Sequence, residues 1–177
     1  MIELILGGVK SGKSKLAEQH AIHSKFDVIY IATAMKSFNG ITDQSMLERI
    51  RQHEIQRPDH WQVIEEPLML SDVLKKSASD NKCILVDCLT LWLTNLLLNK
   101  NPLLLKTETE KLLETLPTLN ATIIFVSNET SMGIIPESKL ARQFCDEAGV
   151  LHQKLATLSD RVILTVAGLP HVLKGSL

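Results

Sequence analysis

Residues 7–14 read GGVKSGKS and follow directly on the apolar run IELIL at 2–6. No other stretch limits the fold so strongly. It satisfies the spacing GxxxxGK[ST] through Gly7, Gly12, Lys13 and Ser14. Glycine lets the backbone curl, so that successive N–H groups, those of Gly8, Val9, Lys10 and Ser11 among them, point inward at phosphate oxygens. The helix expected from SKLAEQHA adds its positive end. Lys13 is the group to reach the β- and γ-phosphates, and Ser14 offers a hydroxyl to Mg²⁺. The context is the one such a loop requires, a buried strand before it and a helix after it.

The rest of the chain repeats that alternation. Apolar runs at 27–33 (DVIYIAT), 83–88 (CILVDC), 121–127 (ATIIFVS) and 161–168 (RVILTVAG) read as further strands. Most are continuous rather than alternating, as in strands covered on both faces. Helical patterns occupy 14–24, 45–54, 68–79, 107–116 and 137–159. Strand and helix in turn predict an α/β fold of the P-loop NTPase type, a mainly parallel sheet flanked by helices on both faces. A chain of 177 residues suits one catalytic domain, 1–177. Segments 36–44 and 98–107 read as loops.

Composition removes several classes. A net charge of −1 and 4 % aromatic residues argue against nucleic acid as a partner. The apolar stretch 89–98 is too short to span a bilayer and contains Thr and Asn. Cys83, Cys88 and Cys145 have neither disulfide nor zinc spacing and suit a reducing compartment. With no basic n-region at MIELILGG, a cytoplasmic location is expected.

A phosphate loop implies a nucleotide but not a reaction. A guanine-reading NKxD is absent, and SNET at 127–130 does not match it. A small-molecule kinase is the residual class. Asp87 ends the strand at 83–88, where open α/β sheets place ligands, and reads as a Mg²⁺ or water-network ligand or as a helix cap. RIRQHEIQRPDHW at 49–61 holds three arginines and two histidines. A helix there presents Arg49 and His53 at i, i+4, and Arg57 and Pro58 end it. The positive field favours triphosphate binding and the neutral, nucleophilic imidazole. Composition alone favours an exposed histidine on a charged helix.

Several blocks in order resemble the bifunctional adenosylcobinamide kinase / adenosylcobinamide-phosphate guanylyltransferase family of cobalamin biosynthesis. They are GGVKSGKS at 7–14, YIAT at 30–33, RIxxHxxxRPxxW at 49–61, Glu65, the acid-ended strand at 83–88, LTNLL at 93–97, SNETSMGIIPESKLARQFCDEAGVLHQKLA at 127–156 and GLPHVLK at 168–174. The resemblance covers nearly the whole chain. It implies two activities, with GTP and ATP as substrates alongside adenosylcobinamide and its phosphate. The first phosphorylates the aminopropanol hydroxyl of adenosylcobinamide. The second moves GMP from GTP to that phosphate through a GMP-histidine phosphoramidate. The family's nucleophile lies four residues before the RP pair, at His53. The resemblance also implies nucleotide contacts from Ile31, Ala32 and Thr33, from Glu54, Ile55, Gln56 and Arg57, and from Glu65 and Asp87. One carboxylate suits the paired donors of guanine, and which one is left open. A homotrimer is implied as well.

This chain departs from some relatives in carrying Gln52 beside His53, where they have a histidine pair, and Asp87 where they have Glu. His60 is the second choice of nucleophile but falls beyond Pro58. His20 and His23 read as solvated or core-edge, and His152 and His171 have no assigned role. Asn128, Glu129 and Gly133 lie either at a structural turn or where substrate or a neighbouring subunit approaches. Arg142 reads as a surface charge. A monofunctional kinase for another small molecule is the competing class.

Overall fold

The computed structural model describes residues 1–35 and 44–177, apart from the side chains at 45, 46, 49, 53, 54 and 56. Its core is a sheet of seven strands in the order β3-β2-β4-β5-β1-β6-β7. These are β1 (Ile2–Gly7), β2 (Asp27–Ala32), β3 (Gln62–Glu65), β4 (Lys82–Asp87), β5 (Thr122–Asn128), β6 (Arg161–Val166) and β7 (Leu169–Lys174). Every pairing is parallel except the β6–β7 hairpin. The helices are α1 (Lys13–His23), α2 (Gln44–Gln56), α3 (Leu70–Ser77), α4 (Leu89–Leu97), α5 (Leu104–Thr115) and α6 (Lys139–Leu158).

Strand side chains alternate between faces, and here both faces are apolar. Leu4 and Leu6, Ile29 and Ile31, Ile84 and Val86, and Ile123 and Phe125 pack beneath α3, α4, α5 and α6. The residues between them, Ile5, Val28, Tyr30, Cys83, Leu85, Ile124 and Val126, pack with Ala17 and Ala21 of α1 and with Trp61. The continuous apolar runs are thus explained by two covered faces. The chain leaving β1 enters α1 on one face, and the chain leaving its neighbour β5 leads to α6 on the other. That divergence opens a crevice beyond the carboxyl ends of the strands, the usual ligand position in open α/β sheets.

The expected strands are present, with shifted ends. The run 27–33 stops at Ala32, 83–88 becomes Lys82–Asp87, and 161–168 stops at Val166, with Ala167 and Gly168 forming the turn into β7. Two strands and a helix were not expected. β3 is four residues with mostly exposed side chains at the sheet edge. β7 carries Pro170, tolerated because an edge strand needs fewer ladder donors. α4 has leucines around most of its circumference, so its period is hidden, yet Leu89, Trp92, Leu93 and Leu96 give it a buried helical stripe. Segment 98–107 is a loop only as far as Leu103, since α5 starts at Leu104. Of the other expected loop, 36–43 lies outside the described residues and Gln44 begins α2.

Candidate active site

Between β1 and α1 the chain takes conformations that few residues accept. Gly7 has φ +155°, Gly12 φ +98° and Lys10 φ 55°. A Cβ on Gly12 would sit 3.2 Å from Gly168 Cα, because the β6–β7 turn lies against the loop. The Gly168 N–H donates to the Ser11 carbonyl at 2.9 Å. The GLPHVLK block thereby gains a physical role: its turn braces the phosphate loop from the side. Lys13 is buried, and its Nζ donates to the Gly8 carbonyl at 2.7 Å. Burial pulls its ammonium below the ordinary lysine value, with the neighbouring Cys88 and Asp87 opposing. A cation held this way has little solvation to lose when an anion arrives.

The loop forms one wall of a cleft of about 450 Å³. Val9, Lys10, Ser11, Gly12, Lys13 and Ser14 line it, with Ala32 and Glu65 from the ends of β2 and β3 and Asp87 from the end of β4. Ile50 and Gln52 of α2, Arg57 just beyond it, Thr90 and Asn128 line it too. Gly7 and Gly8 belong to the same loop but do not line the cleft. Ile31 is fully buried beneath the α3–α6 layer, and Thr33 is fully buried as well. Ile55 is 73 % exposed. His53, Glu54 and Gln56 lie on α2, and their side chains are outside the described residues.

Hydrogen bonds fix the acidic end of β4. Asp87 pairs with Ala32 across the ladder, and Tyr30, two residues back on the same face, reaches it with its hydroxyl. Tyr30 Oη donates to Asp87 Oδ2 at 3.0 Å. The Arg57 guanidinium lies over the Tyr30 ring, 4.6 Å from its centroid. Thr33 Oγ1 donates to the Cys88 carbonyl at 2.7 Å and accepts from the Cys88 N–H at 3.0 Å. Asn95 donates to the carbonyls of Thr33 and Pro67 at 2.8 and 3.1 Å, tying the ends of β2 and β3 to α4. Burial, reinforced by Asp87, pushes the Cys88 thiol up to about 11, so it stays neutral. Among the described residues no three His, Cys, Asp or Glu side chains converge as a metal cage. One hydroxyl, Ser14, and one carboxylate, Asp87, both line the open cleft, a donor set that fits Mg²⁺ with its waters and phosphate oxygens.

The SNET block leaves β5 at this edge. The Glu129 N–H donates to the Gly7 carbonyl at 3.0 Å, and Asn128 lines the cleft. Gly133 is exposed, and Arg142 donates to the carbonyls of Pro136 and Glu137, which shapes the turn before α6. His152 is buried with Nε2 2.8 Å from Ser127 Oγ, and burial holds it below the ordinary histidine value. His20 bonds Glu3 at the far end of β1, while His23, His60 and His171 are exposed. Sequence reasoning missed Tyr30, Thr90 and His152. Only Tyr30 left a signal, a phenol in an otherwise aliphatic buried strand.

A model of the family described as cobinamide kinase / cobinamide phosphate guanyltransferase matches residues 3–173. The bifunctional adenosylcobalamin biosynthesis protein CobP of Pseudomonas aeruginosa is 52 % identical over 175 residues, 99 % of this chain and 98 % of that protein. The protein CobU of Escherichia coli, described in the same words, is 35 % identical over 182 residues, 96 % of this chain and 97 % of its own. Among solved structures, an ATPase of a type III secretion system has TM-score 0.56 at 12 % identity, covering 97 % of this chain and 56 % of that one. A Pyrococcus horikoshii protein has TM-score 0.56 at 9 % identity, covering 99 % and 87 %. These two likenesses concern the fold alone.

Proposed function

The chain belongs to the cobinamide kinase / cobinamide phosphate guanyltransferase family, and on that premise we propose how its cleft performs the two reactions. The enzyme phosphorylates adenosylcobinamide with a nucleoside triphosphate and transfers GMP from GTP to the resulting phosphate. The reading as a monofunctional kinase falls away with that membership.

One observation carries the assignment of the nucleophile. Ile50 and Arg57 line the cleft. Position 53 lies three residues after Ile50, the spacing of one face of α2, and Arg57 follows directly where the helix ends. In our reading α2 presents His53 over the phosphate loop. Neutral His53 attacks the α-phosphorus of GTP in line, the bond to the bridging oxygen breaks, and pyrophosphate leaves with the electron pair. An oxygen of adenosylcobinamide phosphate then attacks the same phosphorus, the P–N bond breaks and the imidazole is restored. Attack requires an approach of about 3–3.5 Å. Lys13 and the amides of residues 8–14 offset the triphosphate charge, which is where most of the rate arises.

Ser14 and Asp87 would hold Mg²⁺, which supplies further charge neutralisation on the phosphates. Glu54, Ile55, Gln56 and Arg57 are placed next to the nucleophile in sequence and contribute nucleotide contacts, as Ala32 does from the cleft wall. Ile31 and Thr33 are buried and do not line the cleft, and Thr33 serves through its hydroxyl, which holds Cys88 beside Asp87. With Asp87 turned to Mg²⁺, Glu65 is the lining carboxylate left for the paired N–H donors of guanine. The chain acts as one catalytic domain in a homotrimer, and the exposed Met132, Ile134 and Ile135 are surface that self-association would cover. Its free thiols Cys83, Cys88 and Cys145 suit the cytoplasm, and no helix among the described residues is long and apolar enough to cross a membrane.

Incubation with GTP labelled at the α-phosphorus tests the assignment. The native chain should take an acid-labile, base-stable label. His53→Ala should take none while still phosphorylating adenosylcobinamide. An acid-labile GMP adduct on His53→Ala would refute it.

A further inference from the structure

Among the described residues Tyr30 is the one aromatic side chain that lines the cleft. It is 4 % exposed on β2, packed in the same apolar cluster as Trp61. Its hydroxyl holds Asp87 Oδ2 at 3.0 Å. Its ring face carries the Arg57 guanidinium 4.6 Å from the centroid. Arg57 directly follows the last residue of α2, four positions after His53. Two parts of the machinery, the acid of β4 and the end of the helix bearing the nucleophile, thus meet on a single buried side chain.

We infer that Tyr30 is a positioning residue with two separable functions: its hydroxyl orients the Asp87 carboxylate, and its ring seats Arg57 and with it the carboxyl end of α2. The inference rests on the assignment of His53 and Asp87 above. The length of tyrosine is what the register demands. Ala32 stands opposite Asp87, and a side chain two residues back must be long to reach the acid. Engaging Oδ2 fixes which way the second carboxylate oxygen turns. The ring presents its negative face to a guanidinium at a site partly removed from water, where that attraction is strengthened.

The two functions predict different failures in the full-length chain. Tyr30→Phe keeps the ring and frees Asp87. Calorimetry should then find the gain in GTP affinity on adding Mg²⁺ reduced by about tenfold, the usual effect of losing a group that orients a metal ligand. Its deficit in covalent GMP labelling should close as Mg²⁺ is raised. Tyr30→Leu removes both functions. It should lose the Mg²⁺ gain equally and also label about tenfold more slowly at saturating Mg²⁺, since a displaced helix misaligns the nucleophile. Arg57→Gln leaves the tyrosine intact and covers the case in which Tyr30→Leu does not fold. It should slow labelling while the Mg²⁺ gain persists. The inference is overturned if Tyr30→Phe keeps the full Mg²⁺ gain, if its deficit persists at saturating Mg²⁺, if Tyr30→Leu labels as fast as Tyr30→Phe, or if Arg57→Gln labels like the native chain. Absence of label from the native chain itself would instead refute the His53 assignment, and calorimetry would still read the hydroxyl function.

Discussion

At Gly7 a hydrogen atom stands where any other residue would place a carbon. A Cβ there would lie 2.4 Å from the Thr165 carbonyl and 2.6 Å from Ser11 Oγ. Thr165 is the ladder partner of Gly7 in β6, so it cannot withdraw without opening the sheet. At Gly8, one residue on, a Cβ would meet no atom within 4 Å. Gly7→Ala should therefore lose about 1–3 kcal/mol of stability by denaturant titration and weaken GTP binding with it, whereas Gly8→Ala should fold as the native chain does. Equal stability of the two variants would mean that the loop does not take this conformation. Lys13, resting on the Gly8 carbonyl, has only to exchange one oxygen for another when phosphate binds.

Elements are joined at the amino end of the sheet by a different set of charges. Glu3 of β1 is fully buried, accepts from Arg161 of β6 at 2.9 and 3.0 Å, and lies 2.8 Å from His20 of α1. Burial pushes its carboxyl up, but the hydrogen bonds from His20 and Arg161 outweigh that and hold it below the ordinary carboxylate value. A depressed folded-state value means that the native chain binds this proton less readily than the unfolded chain. The stabilisation is therefore complete above the unfolded value of about 4.5 and is lost as pH falls through the folded value. Glu3→Gln should cost about 3–5 kcal/mol at pH 7, because it leaves Arg161 without its counter-charge. That difference should shrink in denaturant titrations carried progressively below pH 4.5. A constant difference would contradict the assignment. Legibility also varied by element. The strands β1, β2, β4, β5 and β6 were readable because burial on both faces leaves continuous apolar runs. The edge strand β3 buries too little to show one, and β7 is masked by Pro170. α4 was hidden because Leu, Trp and Thr fill most of its circumference.

The molecule as a whole separates its tasks between the two ends of one sheet. The carboxyl ends of β1, β2, β3, β4 and β5 supply the cleft, and the amino ends of β1 and β6 supply the buried ion cluster. That the loop, Lys13, Ser14 and Asp87 face one cleft was legible in the sequence, because a loop that follows one strand and an acid that ends another fall at the same end of a parallel sheet. Tyr30 was not, since a side chain that orients another residue is distinguishable only when register brings the two together. Nor was the bracing of the loop by Gly168, which depends on a contact between residues far apart in the chain. The central claim is that α2 delivers the imidazole at position 53 to the α-phosphorus of a nucleotide held in this cleft. Peptide mapping by mass spectrometry, after the chain is incubated with GTP and trapped at alkaline pH, tests it most directly. The account predicts GMP on the peptide spanning 52–56, attached to His53; GMP attached instead to His60 or Lys13 would contradict it.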